Sequence, residues 1–199
     1  MGQSIENKIL KRISDKKTGW VFTPSYFLDL GNRDAIDQAL GRLVRCGSIR
    51  RLARGLYDYP DKHPTLGDLP PNYQKIAQAL AGRDNLRIQP SGAYAANLLG
   101  LTEQVPAKIV FLTDGSNRIV QVQNQKIVLK RTTPKNMATA GKISGLVIQA
   151  LRYLGKDNID DKVISVLRKR LTKDDKQQLL RDFRYAPAWI GLIFKQLQE

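Results

Sequence analysis

Apolar residues recur every three or four positions over most of this chain, and elsewhere they gather into short β-branched or aromatic runs. The sharpest helical rhythm follows Asn32. Ala35, Ile36, Ala39, Leu40, Leu43 and Val44 form one stripe, while Arg33, Asp34, Asp37, Gln38, Arg42 and Arg45 fill the other side. Asn32 is a suitable N-cap, because its side chain can accept a hydrogen bond from an otherwise unpaired helix N–H. Gly47 supplies a residue able to take positive φ just past the helix end. Short strands are expected at Ile49–Leu52 and Leu56–Tyr59, joined through Ala53-Arg54-Gly55.

Upstream, Ser4 can cap a helix that carries Ile5, Ile9, Leu10 and Ile13 on one side and Lys8, Lys11, Arg12, Lys16 and Lys17 towards the other. Gly19 breaks it, and Trp20-Val21-Phe22 reads as a short strand. Thr23-Pro24 opens a second helix, with Phe27, Leu28 and Leu30 as its buried side and Gly31 as the turn before Asn32. Helix, strand, helix, turn, helix and hairpin within about 55 residues is the order and size of a winged helix-turn-helix.

Beyond Tyr59 the pattern changes. Residues 61–71 lie in a proline-rich stretch, Pro60 to Pro71, that suits a linker and cannot continue a helix or central strand. A helix is expected over Asn72–Arg83, an extended piece at Leu86–Gln89, and a small-residue helix in AYAANLLG. Strands follow at Ala107–Leu112, Arg118–Val122 and Ile127–Lys130. After Pro134 the periodicity is helical: Lys142–Leu154, Asp160–Arg170, a polar helix capped by Thr172, and Trp189–Leu197. The expected architecture is α+β. A winged helix-turn-helix occupies residues 1–60, a linker 61–71, and a mixed domain 72–199 with a small, mainly antiparallel sheet and C-terminal helices.

Charge sharpens this picture. Across 199 residues, 33 Lys plus Arg against 18 Asp plus Glu gives +15, so polyanions, and nucleic acid first, are the expected partners. Residues 1–60 hold 11 basic and 6 acidic residues, a net of +5, which leaves +10 for residues 61–199. The single cysteine, Cys46, excludes an intrachain disulfide, fits a reducing cytosol and is read as a small packing residue rather than a redox switch. The first residues lack the apolar core of a secretory leader, so none is expected; no apolar run reaches membrane-spanning length, and Met1-Gly2 matches a myristoylation signal too briefly to count. A cytoplasmic protein without membrane contact is expected.

Catalytic chemistry finds few footholds. His63, the only histidine, precedes a proline in the linker and is read as solvated rather than as a base or ligand. One Cys and one His cannot build a Cys/His zinc site, and no glycine-rich phosphate loop occurs, so neither metal nor cofactor is expected. A metal-dependent nuclease is the main alternative, using Asp114 at a strand end and Lys126 on a later strand. It would need a second carboxylate about where Asn124 stands, and an amide is a poor substitute. Asp114 is read instead as a turn former. A non-catalytic RNA-binding or protein-interaction module is the other alternative.

The basic helix and hairpin suit DNA better. Arginine can bind guanine, and glutamine adenine, through two hydrogen bonds. Asn32, Arg33, Gln38, Arg42 and Arg45 are therefore the expected recognition-helix residues, and Arg50, Arg51 and Arg54 of the wing suit phosphate or minor-groove contact. Tyr57 and Tyr59 are expected to pack rather than stack on bases.

VFTPSYFLDLGNRDAIDQALGRLVRCGSIRRLARGLYDYP resembles the N-terminal region of AbiEi-like transcriptional regulators, the antitoxins of type IV toxin–antitoxin and phage-defence systems. The similarity continues through QPSGAYAANLLGLTEQVPAKIVFLTDG, RIVQVQNQKIVLK, TTPKNM and GLVIQALRYLGKD, roughly residues 18 to 158. The resemblance implies an autorepressor that binds operator double-stranded DNA through the helix and wing residues just named. It also implies a C-terminal domain opposing a nucleotidyltransferase-like toxin, with no motif assigning that role to particular residues.

Overall fold

The computed structural model describes residues 4–82 and 85–198. Met1-Gly2 and Arg83, the expected end of one helix, lie outside them. Contacts divide the chain into two units, Met1–Asn85 with Gln121–Gln123, and Leu86–Val120 with Asn124–Glu199. Both mix helices and strands, so the α+β class holds.

The first unit begins with α1 (Ile5–Ser14), capped by Ser4 through the Asn7 N–H, and β1 (Trp20–Phe22). The expected second helix is only one 3-10 turn, Pro24–Phe27. Proline fixes the first position, but too few residues remain before Gly31 and the Asn32 cap for more than a turn. Then come α2 (Arg33–Arg45), β2 (Arg50–Ala53) and β3 (Leu56–Tyr59). The sheet order is β1-β3-β2, antiparallel throughout, with Phe22 opposite Tyr57, Arg50 opposite Asp58, and a bulge between Arg51 and Ala53. Gly55, at φ +70°, makes the hairpin turn that the glycine predicted.

These elements close over one core of Ile9, Ile13, Phe22, Phe27, Ile36, Ala39, Leu40, Leu43, Ile49 and Tyr57. Phe22 and Phe27 meet edge to face at 5.5 Å, and Phe22 stacks near Tyr57 at 6.1 Å. Each such fully buried side chain contributes roughly 1.5–3 kcal/mol of transfer free energy. Tyr57 and the half-buried Tyr59 therefore pack, as their alternation suggested.

The expected linker is folded back on itself. β4 (Lys62–His63) and β5 (Gly67–Asp68) pair antiparallel, and the Leu69 N–H donates to the Asp61 carbonyl at 2.7 Å. His63 is exposed, with Nδ1 3.0 Å from Thr65 Oγ1. The next helix, α3 (Tyr73–Gly82), buries Ile76, Ala77 and Leu80 and lies along β1, so it groups with the first unit. The division thus falls after Asn85 rather than at 61–71. Prolines interrupt backbone hydrogen bonding, but they do not mark where side-chain contacts end.

The second unit comprises β6 (Ile88–Ser91), α4 (Gly92–Leu98), β7 (Lys108–Thr113), β8 (Arg118–Val122, whose last two residues group with the first unit), β9 (Gln125–Arg131), α5 (Pro134–Met137), α6 (Ile143–Leu154), α7 (Asp161–Arg170), α8 (Lys173–Arg181) and α9 (Ala188–Gln196). Its sheet runs β6-β7-β9-β8, and its central pair, β7 and β9, is parallel. The expected mainly antiparallel sheet is therefore mixed. β9 returns into the place beside β7 that a simple hairpin would have given to β8. Ile109, Phe111, Ile127 and Leu129 are buried, and α4 and α6 pack closely together. Ala96, Leu99, Val147, Leu151, Leu167, Leu179, Ile190 and Phe194 join the helices in a second core. Asp160, expected as the first helical residue, instead caps α7, and a reciprocal Thr172–Asp175 capping box starts α8 where Thr172 was expected to cap.

Candidate nucleic-acid interface

α2 is held at both ends by local chemistry. Asn32 Oδ1 accepts from the Ala35 N–H at 2.9 Å, and Gly47 at φ +72° ends the helix. Asn32 is exposed, but its acceptor atom is already engaged in capping. Ile36, Ala39, Leu40 and Leu43 point into the core, so the opposite side of the helix faces solvent.

The structure sorts the candidate side chains. Gln38 and Arg45 are exposed and make no hydrogen bond or ion pair with another described residue. Arg33 is exposed and its Nε donates to Asp37 Oδ2 at 2.8 Å, one helical turn on. Arg42 Nε donates to Glu6 Oε2 of α1, which ties the two helices together. Arg51 and Arg54 are exposed on the hairpin and lack an intramolecular partner among the described residues.

Arg50 departs from expectation. Its guanidinium donates to both carboxylate oxygens of Asp58, at 3.1 and 2.6 Å, and to the Leu69 carbonyl at 3.0 Å. The Asp58 hydrogen bonds, outweighing burial, raise the pKa of the guanidinium. An arginine engaged in this way acts as a strut inside the hairpin. Register explains it: Arg50 and Asp58 are directly opposite on neighbouring strands. Sequence reasoning missed Asp58 and Glu6; the signal for Asp58 was an acidic residue inside an otherwise apolar strand.

Cys46 is exposed, so it is not the packing residue expected. Its Sγ lies 3.2 Å from Ser48 Oγ, and the hydrogen bond from Ser48 lowers the thiol pKa. Nearby, Lys16, Lys17 and Lys75 surround Trp20 and Tyr26 in a cleft of about 310 Å³, adding positive charge to this unit.

The nuclease arrangement does not assemble. Asp114 follows Thr113, whose register partner is Arg131, whereas Lys126 pairs with Lys108. The two residues lie at opposite ends of the strand pair, roughly 20 Å apart along the strands. Asp114 instead accepts from the Arg87 N–H at 2.9 Å and Arg87 Nε at 2.8 Å, fastening the start of β6 to the end of β7. Hydrogen bonding from Arg87 also holds its pKa below the usual value. Among the described residues no cluster of three or more His, Cys, Asp or Glu could hold a metal ion, and no helix is long and apolar enough to cross a membrane.

What these features define is an α+β protein with a basic helix-and-hairpin module in its first unit. Residues 8–179 match DUF6088, a family of unknown function, and the chain belongs to that family. Its fold is similar to that of the RV2827C protein from Mycobacterium tuberculosis, at a TM-score of 0.50 and 14% identity, covering 99% of this chain and 77% of that one. No curated protein matches the sequence.

Proposed function

We propose that this protein is a DNA-binding transcriptional regulator, an autorepressor of the antitoxin type, whose first unit is a winged helix-turn-helix. The observation that carries this reading is the side-by-side placement of α2 and the β2–β3 hairpin on one core, with Gln38, Arg45, Arg51 and Arg54 exposed and unpaired within the described chain. α2 is the recognition helix and the hairpin is the wing. Gln38 and Arg45 read base edges, and the wing arginines bind phosphate or the minor groove. The AbiEi-like resemblance supports the same role and extends it to a nucleotidyltransferase-like toxin as the second unit's partner.

A second polyanion contact is favoured by the second unit's sheet. Lys126 lies opposite Lys108 and shares its strand face with Lys130, and all three are exposed.

Binding to a labelled duplex from upstream of the protein's own coding sequence, against random duplex at several salt concentrations, tests the reading. Expected is a preference of about 10³-fold or more, together with a steep salt dependence. Equal, weak binding to every duplex would overturn site-specific regulation. A nucleotidyltransferase-like reading frame beside this one, with growth inhibition relieved on co-expression, tests the antitoxin role.

A further inference from the structure

The outward side of α2 contains a residue that the fold does not explain. At 100° per residue, the positions most nearly opposite the buried Ile36, Ala39, Leu40 and Leu43 are Asp34, Gln38, Gly41 and Arg45. Gly41 lies in the interior of a 13-residue helix, with ordinary negative φ, where glycine is the poorest helix former after proline. A Cβ built there meets nothing within 4 Å. Neither backbone conformation nor internal packing therefore requires glycine. One helical turn to either side stand Gln38 and Arg45, both exposed and unpaired within the described chain.

Resting on the DNA-binding reading above, we infer that Gly41 marks where the α2 backbone makes its closest approach to duplex DNA, with Gln38 and Arg45 reading bases on either side of it. The missing side chain lets the helix axis sit lower in the groove, which brings a short glutamine within reach of a base edge. Asp34, on the same ridge, lies in the first turn, where a carboxylate favours the helix dipole. Arg42 is displaced from this ridge and held by Glu6, so it orients α2 on α1 and does not read sequence.

The test uses the full chain and two measurements, thermal melting and anisotropy of labelled specific and random duplexes. Gly41→Ala removes a helix-weakening residue and should raise Tm by roughly 2–4 °C. The same variant should lose about 10-fold in affinity for the specific duplex. Gly41→Leu, also a good helix former, should keep the fold and lose more than 100-fold on both duplexes, because its bulk blocks approach to any sequence. Gln38→Ala and Arg45→Ala should lose affinity mainly on the specific duplex, and Arg42→Ala equally on both. Wild type binding a specific duplex while Gly41→Leu binds it within twofold would overturn this inference and leave the DNA-binding reading intact. Wild type failing to bind any duplex would overturn that reading, and the inference with it.

Discussion

Arg50 and Asp58 meet across the β2–β3 hairpin, Nη2 to Oδ2 at 2.6 Å, with only 1% of the Asp58 side chain exposed. The same guanidinium reaches the Leu69 carbonyl, so one side chain joins the hairpin to the segment that leaves it. Removing one partner leaves the other buried and unpaired. Arg50→Ala should cost about 3 kcal/mol in urea unfolding. A normal urea midpoint for this variant, with only its salt dependence on DNA altered, would show that Arg50 binds phosphate after all.

Arg54 provides the contrast. It sits at the hairpin turn, exposed and without an intramolecular partner among the described residues. Arg54→Ala should leave stability within about 0.5 kcal/mol. It should weaken binding to specific and random duplex alike and lower the log–log salt slope by about 1. Anisotropy titrations at four salt concentrations measure both quantities.

Asp182 gives the second unit a pH dependence. Burial pushes its carboxyl pKa up, but hydrogen bonds from Ser144 at 2.6 Å, Gln178 at 2.7 Å and Lys142 at 3.1 Å together outweigh burial and lower it from 3.8. A pKa lower in the folded than in the unfolded chain stabilises above the unfolded value and ceases to do so as pH falls through the folded one. Asp182→Asn should therefore be less stable than wild type at neutral pH, with the gap narrowing below about pH 3.8. Urea midpoints measured across that range check the sign; a gap that widens in acid would contradict it.

Gly145 and Gly41 predict opposite outcomes for one chemical change. Both are helical, but a Cβ at Gly145 collides with the Thr139 carbonyl and the Gln89 side chain. Gly145→Ala should destabilise by about 1–3 kcal/mol through overpacking, whereas Gly41→Ala should stabilise by about 1 kcal/mol. Parallel urea titrations of the two variants measure the difference.

Local chemistry was legible in the residues themselves. The Asn32 cap, the Gly47 stop, the Gly55 turn and the Thr172 cap are short-range signals, and each lies where its residue type predicted. Relations between distant residues were not legible. The parallel pairing of β7 with β9 depends on which strand fills a gap, and both candidates are short runs carrying β-branched residues. The short 3-10 turn at Pro24–Phe27 reflects crowding before the Asn32 cap, which propensity does not register. Among the candidate residues, exposure followed from helix periodicity at Gln38 and Arg45. The engagement of Arg42 and Arg50 followed from partners 36 and 8 residues away.

The place of β9 between β7 and β8 fixes an order of assembly during synthesis. β8 leaves the ribosome directly after β7, yet neither strand pairs with the other. The strand that joins them is the last of the four to be made, and its final residue, Arg131, pairs with Thr113 at the end of β7. Until about residue 131 has emerged, β8 has no sheet partner and one edge of β7 is open to other chains. A nascent chain whose emerged part ends near Val122 would therefore expose a sticky strand edge, and one whose emerged part extends past Thr132 would have covered it.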